Sequence, residues 1–404
     1  MTSTGYDVLV IGGGPCGLIT AREAAKEGLK VLVLEEHEVI GKPMHCAGVI
    51  SPRCLRELGI RVTGHMILNE IKGAKLYFPG GNEVEVSRGQ VEAIVVDREV
   101  FDRELAREAE DAGAEIITSC KAEKISPMEE IAKVLVRCGR EEIIIRCKTL
   151  VIAEGLVRTL TRELTPIKAK PLTGLQEDYE LHEIHIEKDY VKVYFDKRIS
   201  DRLFGWIIPL GEDRVRVGTA SGRAHIGYRE LLSRKEVENM IRGARRIRRM
   251  GGIVNVDGPL NTFVLRPNVA LVGDAAGQNK PVTGGGVYYG GVGGMLLGRA
   301  IVRAVEEGGL RQFYEGAWRM RFGRDIMVAS LFRRFFDSLT NRDLEVLGKV
   351  VQEASEEIVR NGDFDFHARL LMKGGIKVLL RALRRGEGNI YKAFIRALIA
   401  TILR

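Results

Sequence analysis

Residues 6–35 read YDVLVIGGGPCGLITAREAAKEGLKVLVLE. Residues 6–11 are a short apolar run of strand length. Residues 15–28 place Ala and Leu on one helical face, and residues 30–35 (KVLVLE) form a second apolar run. Together these predict a β-α-β unit. Between the first strand and the helix, Gly12-Gly13-Gly14-Pro15-Cys16-Gly17 satisfies GxGxxG, and each glycine has a task. Gly12 permits the tight turn. Gly14 lets a pyrophosphate approach the backbone. Gly17 lets the helix pack on the strand. The unpaired N–H groups of the helix start favour phosphate. Glu35 closes the second strand, where its carboxylate accepts hydrogen bonds from ribose hydroxyls and repels a 2′-phosphate. The segment reads as a dinucleotide-binding unit.

A second signal lies far downstream. Residues 269–277 (VALVGDAAG) are a buried-strand pattern ending in Gly273-Asp274, followed by Pro281-Val282-Thr283-Gly284-Gly285-Gly286-Val287. An acid just past a strand suits ribityl hydroxyls. The glycines let a second helix start, at Gly286 and Val287, point toward the flavin pyrimidine edge, where charge builds on reduction. This pair of motifs favours FAD over NAD. Residues 281–298 contain no charge, which reaches the lower length of a membrane span. The glycine density instead predicts close approach of the backbone to a cofactor.

The remaining chain divides into sheet-like and helical stretches. Residues 73–96 read as short strands with a turn at Gly80-Gly81, and residues 98–112 as a strong helix. Strands are expected near 114–125, 131–138, 141–147 and 149–153, and residues 174–221 alternate in the β manner. From 284 onward the chain is mostly helical. The expected fold is α/β: a Rossmann-type FAD-binding domain (1–72, 97–170 and 260–310), an inserted antiparallel-sheet substrate domain (73–96 and 171–259), and a helical C-terminal region (311–404).

Composition is that of a soluble globular chain, with 45% hydrophobic and 29% charged residues. Lys, Arg and Glu are abundant while Gln is scarce, a usage seen in heat-adapted proteins. The opening residues carry no signal-peptide pattern, so a cytoplasmic setting is expected. None of the six cysteines forms a CxxC pair. That argues against a zinc site or a disulfide framework, and Cys54, Cys120, Cys138 and Cys147 are expected as separate buried fillers. Residues 366–404 hold nine Lys/Arg against Glu387 alone, so this tail carries the whole net charge of +8. Arg369, Lys373, Lys377, Arg381 and Arg385 recur every four residues, as do Lys392 and Arg396, with Leu, Ile and Phe between them. The pattern suits either a helix in an anionic lipid interface or one packed on the body with a solvated basic face. No nucleic-acid module is recognisable.

The two motifs, in this order and separation, resemble those of the p-hydroxybenzoate-hydroxylase-like flavoproteins, and within them the archaeal geranylgeranyl reductases. Three further stretches carry the resemblance: Pro43-Met44-His45-Cys46-Ala47-Gly48 (PxxC-small-Gly), Asp97-Arg98-Glu99-Val100-Phe101-Asp102 (DRxxFD), and Phe204-Gly205-Trp206-Ile207-Ile208-Pro209-Leu210-Gly211, similar to YxWxFPxG. Phe204 and Ile207-Ile208 depart from that last motif. Glu154-Gly155 stands where the wider group has Asp-Gly. The resemblance implies that Cys16, Glu35, Cys46, Ala47, Gly48, Arg98, Ala122, Asp274, Gly286 and Val287 surround FAD. It also implies that Phe204, Trp206 and Pro209 line a substrate cavity.

Two roles fit Cys46: a reactive thiol, favoured by the nearby His45 and Lys42, or a small residue lining the flavin. His45 is a candidate proton donor or a plain loop histidine. The resemblance implies hydride delivery from reduced flavin to C=C bonds of geranylgeranyl chains in archaeal ether phospholipids. An isolated trisubstituted alkene cannot stabilise an anion, so the site is expected to be apolar, dry and provided with one acid. The expected partners are the isoprenoid lipid, an anionic membrane surface at the inner face of the cell membrane, and an external donor such as ferredoxin or NAD(P)H, because no second GxGxxG follows a strand. Two other readings share these motifs: an FAD monooxygenase or quinone-type oxidoreductase, and a prenyl-lipid carrier without turnover.

Overall fold

The computed structural model describes residues 5–126, 130–167, 169–182, 186–368, 372 and 388–402. Tyr6–Ile11 lies at the centre of an eight-stranded sheet and pairs in parallel with Val31–Leu34 on one side and Glu141–Ile152 on the other. Val8, Leu9 and Val10 are fully buried, as expected of a parallel strand covered on both faces. Val269–Leu271 joins this sheet beside Glu141–Ile152, so the two distant glycine motifs leave strands of one sheet. Glu141–Ile152 is one strand, where the sequence suggests two. Its early part pairs antiparallel with Ala132–Cys138 and its later part runs parallel to Tyr6–Ile11.

A seven-stranded sheet forms the second layer, in the order Arg245–Val254, Leu172–Glu180, Arg214–Ser221, Gly205–Pro209, Tyr190–Tyr194, Gly73–Tyr77, Glu83–Ser87. Its pairings are antiparallel except for Tyr190–Tyr194 against Gly73–Tyr77. Side chains alternate between two faces. The outer face (Leu175, Tyr179, Ile207, Val215, Val217) is closed by Tyr228, Leu231 and Val237 of two helices, Ala224–Leu232 and Lys235–Ile241. The inner face carries Trp206 and Ile208 and meets Ala47 and Val49. Ala93–Val96, the last of the short strands at 73–96, pairs in a third sheet with Val49–Ile50 and Ile67–Ile71.

The glycine-dense segment contains the helix Val287–Glu307. A Cβ on Gly290 would lie 2.6 Å from Cys16 Sγ, one on Gly294 2.6 Å from the Cys16 carbonyl, and one on Gly298 2.8 Å from the Thr20 carbonyl. Recurring every four residues, these glycines make one face that meets the first helix, Pro15–Lys26. The expectation of cofactor approach is corrected for this part of the segment: the backbone it approaches is another helix. Among the described residues, no helix is long and apolar enough to cross a membrane.

The cysteine expectation is also corrected. Cys120 and Cys138 pair across the hairpin of Cys120–Ser126 and Ala132–Cys138, with Cα atoms 4.3 Å apart, and form a disulfide. Strand register brings them together, which a count of Cys spacings does not show. Cys54 and Cys147 are free and buried, and burial pushes each thiol up to about 12.

At the C-terminus, Gly388–Ile402 buries Ile390 and Ala397 and sets Phe394 against Phe332 and Phe335 of the helix Ala317–Asp337. For Phe394 the second of the two expected settings holds, packing on the body. Lys392, Arg396 and Ile399 are exposed. Arg369, Lys373, Lys377, Arg381, Arg384, Arg385 and Arg404 lie outside the described residues.

Candidate active site

The first glycine loop has the geometry its spacing predicts. Gly12 adopts φ 108°, a left-handed value open to glycine, and a Cβ there would stand 2.4 Å from the Ala153 carbonyl. A Cβ on Gly17 would stand 2.2 Å from the Gly12 carbonyl, so helix and turn touch through backbone alone. Gly14 is different: no protein atom lies within 4 Å of its Cβ position, and the helix it opens has no side-chain cap. Its first N–H groups are left for a ligand. Glu35 accepts from the Gly13 amide at 2.8 Å and the His37 amide at 3.0 Å, which fixes its carboxylate at the turn. The Glu35 carbonyl accepts from the Cys120 amide at 2.9 Å, and Ala122 follows two residues along that strand, half-buried.

Cys16 joins the two motifs. Its Sγ fills the space that a Cβ on Gly273 or Gly290 would need, 2.7 and 2.6 Å away, and burial pushes the thiol up. The second motif is braced by side chains that the pattern did not reveal. Gly273 donates to Gln278 Oε1 at 2.8 Å, Gln278 donates to Tyr314 at 3.0 Å, and Asn279 donates to the Asn255 carbonyl at 2.9 Å. Gln278 and Asn279 are fully buried. Polar residues that far inside must be paired, which is the signal a sequence reader could have used. Gly286 opens the helix Val287–Glu307 without a side-chain cap, and a Cβ on it would lie 2.9 Å from Asp274 Oδ1. Burial raises the Asp274 carboxyl above the usual carboxylate range, with Arg158, His45 and Arg98 opposing. Val287 packs on the main core. Glu154, one methylene longer than the expected Asp, accepts from the Leu160 and Thr161 amides at 3.0 and 2.6 Å.

The Pro43–Gly48 loop is held from two sides, by the start of the helix Arg98–Asp111 and by the inner face of the seven-stranded sheet. On the nucleotide side, Asp97 caps the helix Arg98–Asp111, Phe101 is fully buried in the core, and Arg98 pairs with Asp102 at 3.0 Å. The DRxxFD motif is therefore one helix start with its own ion pair. Burial works against the Arg98 charge, but Asp102 and Cys46 outweigh it and hold the guanidinium above its ordinary value. On the sheet side, Arg216 is buried. It binds Asp178 through Nε and Nη2 at 2.7 and 2.8 Å, and donates from Nη1 to the Ala47 carbonyl at 2.7 Å. Gln176 donates to the His45 carbonyl at 3.4 Å. Gly48, at φ 78°, could not carry a Cβ, which would lie 2.5 Å from the Val96 carbonyl.

Cys46 Sγ accepts from the Gly48 amide at 3.5 Å, and His45 is exposed with Nδ1 at 3.0 Å from the Pro43 carbonyl. Lys42 pairs with Glu99 at 3.6 Å. Phe204 and Trp206 share the inner face, with ring centroids 6.3 Å apart. Pro209 does not join them: an odd number of residues from Trp206, it pairs with Val215, whose side chain belongs to the outer-face core. Phe364, from the C-terminal region, packs against the cluster of Ile71, Ala93, Val95, Ile208 and Leu210 that Ala47, Val49 and Trp206 also join. It carried no sequence signal, because nothing local to it marks packing against this sheet.

Two uncapped helix starts follow strands of one mixed sheet, each beside a carboxylate, Glu35 and Asp274. Between them the loop of Cys46 meets the inner face of the seven-stranded sheet, which presents Arg216 and Gln176 to its carbonyls and Trp206 and Ile208 to its apolar side. The open position above Gly14 and the bare start at Gly286 fit a long dinucleotide, and the arrangement defines an FAD-dependent oxidoreductase. Residues 7–352 match the family model described as lycopene cyclase protein. The chain is 31% identical to a digeranylgeranylglycerophospholipid reductase of Methanothrix thermoacetophila, covering 93% of this chain and 96% of that one. It is likewise 31% identical to an uncharacterised protein of Methanocaldococcus jannaschii, over 96% and 98% of the two chains. A geranylgeranyl bacteriochlorophyll reductase-like protein of Thermoplasma acidophilum superposes with TM-score 0.83 at 26% identity, covering 94% of this chain and 99% of that one. The chain belongs to the family of the digeranylgeranylglycerophospholipid reductases.

Proposed function

We propose that this chain is an FAD-dependent reductase that saturates C=C bonds in geranylgeranyl chains, with archaeal digeranylgeranylglycerol ether phospholipids as its substrates. The observation that carries the reading is the apolar cluster of Ala47, Val49, Trp206 and Ile208, set directly against the Cys46 loop. Bound FAD supplies the hydride. The chain's own residues do the rest. Gly12, Gly14, Gly17 and Glu35 receive the adenosine and pyrophosphate end. Arg98, Asp274, Gly286 and Val287 receive the flavin end. Phe204 and Trp206 keep water from the alkene, so a developing cationic carbon meets a dry wall. The proton comes from the loop. Cys46 Sγ stands beside Arg98, and His45 keeps Nε2 for exchange with solvent while Nδ1 is tied to Pro43.

The setting of the enzyme belongs to the same reading. Met320 and Met327 are 86% and 58% exposed on the helix Ala317–Asp337, beside the exposed Arg324. Apolar and cationic groups together on one face suit an anionic lipid surface. With the basic tail they hold the enzyme peripherally at the inner face of the cell membrane, on the cytoplasmic side. Electrons come from an external donor such as ferredoxin or NAD(P)H.

The test is anaerobic incubation of the chemically reduced, FAD-loaded protein with a digeranylgeranylglycerol phospholipid, followed by mass spectrometry. A gain of two hydrogens for each saturated double bond is expected. A yellow protein that leaves the lipid mass unchanged overturns the activity, and a protein that stays colourless with added FAD overturns the cofactor as well.

A further inference from the structure

The centre of the inner face holds a polar pair between the Phe204 ring and the Arg216–Asp178 ion pair. Gln176, Gly218 and Trp206 lie on three adjacent strands in one register row, Gln176 opposite Gly218 and Gly218 opposite Trp206. Residues directly opposite share a face. Gly218 leaves the space between its neighbours: a Cβ there would stand 2.6 Å from both Gln176 Cβ and Trp206 Nε1. The row faces the Cys46 loop, because Gln176 Nε2 donates to the His45 carbonyl and Arg216, two residues before Gly218, donates to the Ala47 carbonyl.

Gln176 is 3% exposed. Its Oε1 and the Nε1 of Trp206 are both buried and without a hydrogen-bond partner among the described residues. The bond from Nε2 to His45 fixes which end of the amide is the acceptor. The row therefore presents one unmet acceptor and one unmet donor on the two strands that flank Gly218, with Phe204 edge-on to the Trp206 ring. A buried polar atom left unpaired is costly, so groups of this kind mark a place where something polar binds.

We propose that Gln176 Oε1 and Trp206 Nε1 form a binding site for a single hydroxyl group, which accepts from the indole N–H and donates to the amide oxygen. A hydroxyl satisfies both atoms at once. A hydrocarbon satisfies neither, and a carbonyl or ether oxygen only the donor. The proposal deepens the reductase reading and rests on it: a hydroxyl held at this point fixes how far a prenyl chain slides past the loop. The hydroxyl belongs either to the ligand or to a bound water, and the two sources are separable.

The experiment uses the oxidised, FAD-loaded protein and follows perturbation of the flavin absorption spectrum, without turnover. It titrates geranylgeraniol against the C20 hydrocarbon of the same skeleton lacking the hydroxyl. The wild-type chain, Gln176→Met and Trp206→Phe are compared, and each variant is first checked for full flavin content. If the ligand brings the hydroxyl, the wild type binds the alcohol about 10- to 100-fold more tightly, and the preference falls to near unity in both variants. If water brings it, the wild type binds both probes alike, and a high-resolution crystal structure of the FAD-loaded protein shows a water within hydrogen-bond distance of both atoms that is absent from Gln176→Met. A preference that survives in both variants overturns the site. So does equal binding with no such water. A protein that binds FAD but neither probe sinks the prenyl-lipid reading itself, a separate failure.

Discussion

The nucleotide-binding half and the seven-stranded sheet meet at the same loop, Pro43–Gly48, but they reach it by opposite means. The nucleotide half works mainly by omission: Gly12, Gly14, Gly17 and Gly286 remove side chains so that backbone touches backbone, or lies open to a ligand. The sheet works by insertion, driving a buried Arg216–Asp178 pair and Gln176 up to the loop carbonyls. Sites built by omission fail when an atom is added, and sites built by insertion fail when a partner is taken away.

The largest effect is expected from Arg216→Met. It strands the Asp178 carboxylate inside the protein, and loss of one partner of a buried pair costs about 3–5 kcal/mol. Denaturant midpoints measure this. The double variant Arg216→Met/Asp178→Leu should recover most of the loss while still leaving the Ala47 carbonyl unheld, seen as an altered flavin spectrum. If the double variant is no more stable than the single one, the pair is not what anchors the sheet side.

Gly17→Ala comes next. Its Cβ meets the Gly12 carbonyl at 2.2 Å, so the helix must shift, at about 3 kcal/mol, and flavin content falls with stability. Gly14→Ala sharpens the contrast. With no protein atom within 4 Å, the fold should keep its stability to within about 0.5 kcal/mol, while FAD binds about tenfold or more weakly. Equal losses of stability in the two variants would end the distinction between a packing glycine and a ligand glycine.

The smallest effect concerns the segment around Phe364. Burial, with Lys280 adding, holds the His367 imidazole down at about 3. Because the folded value lies below the ordinary one near 6.5, the unfolded chain takes up the proton first as pH falls. Stability is complete above about pH 6.5 and declines toward pH 3, by about 1–2 kcal/mol on reaching about pH 5. His367→Gln should flatten this part of the pH–stability curve. An unchanged slope would show that His367 is not its source.

Much of the site was legible in the chain because its physics is local. GxGxxG between a strand and a helix leaves few other geometries, and DRxxFD is a cap, a buried ring and an ion pair within one helix start. Where local pattern misled, a distant partner decided. The glycines at 290, 294 and 298 serve the first helix. Pro209 shares a motif with Trp206 but alternates to the opposite face. Cys120 and Cys138 became a pair through hairpin register.

By itself the sequence determined the dinucleotide unit and the second glycine motif, since each depends on residues within about one turn or strand of one another, and it marked the loop that carries Cys46 through the resemblance alone. Only the tertiary structure decided what holds that loop and what faces it. Arg216 and Asp178 are 38 residues apart, and Phe364 is more distant still. Contacts across a sheet follow from register and from which face each strand buries, and a single-residue slip would send every one of these side chains to the other side.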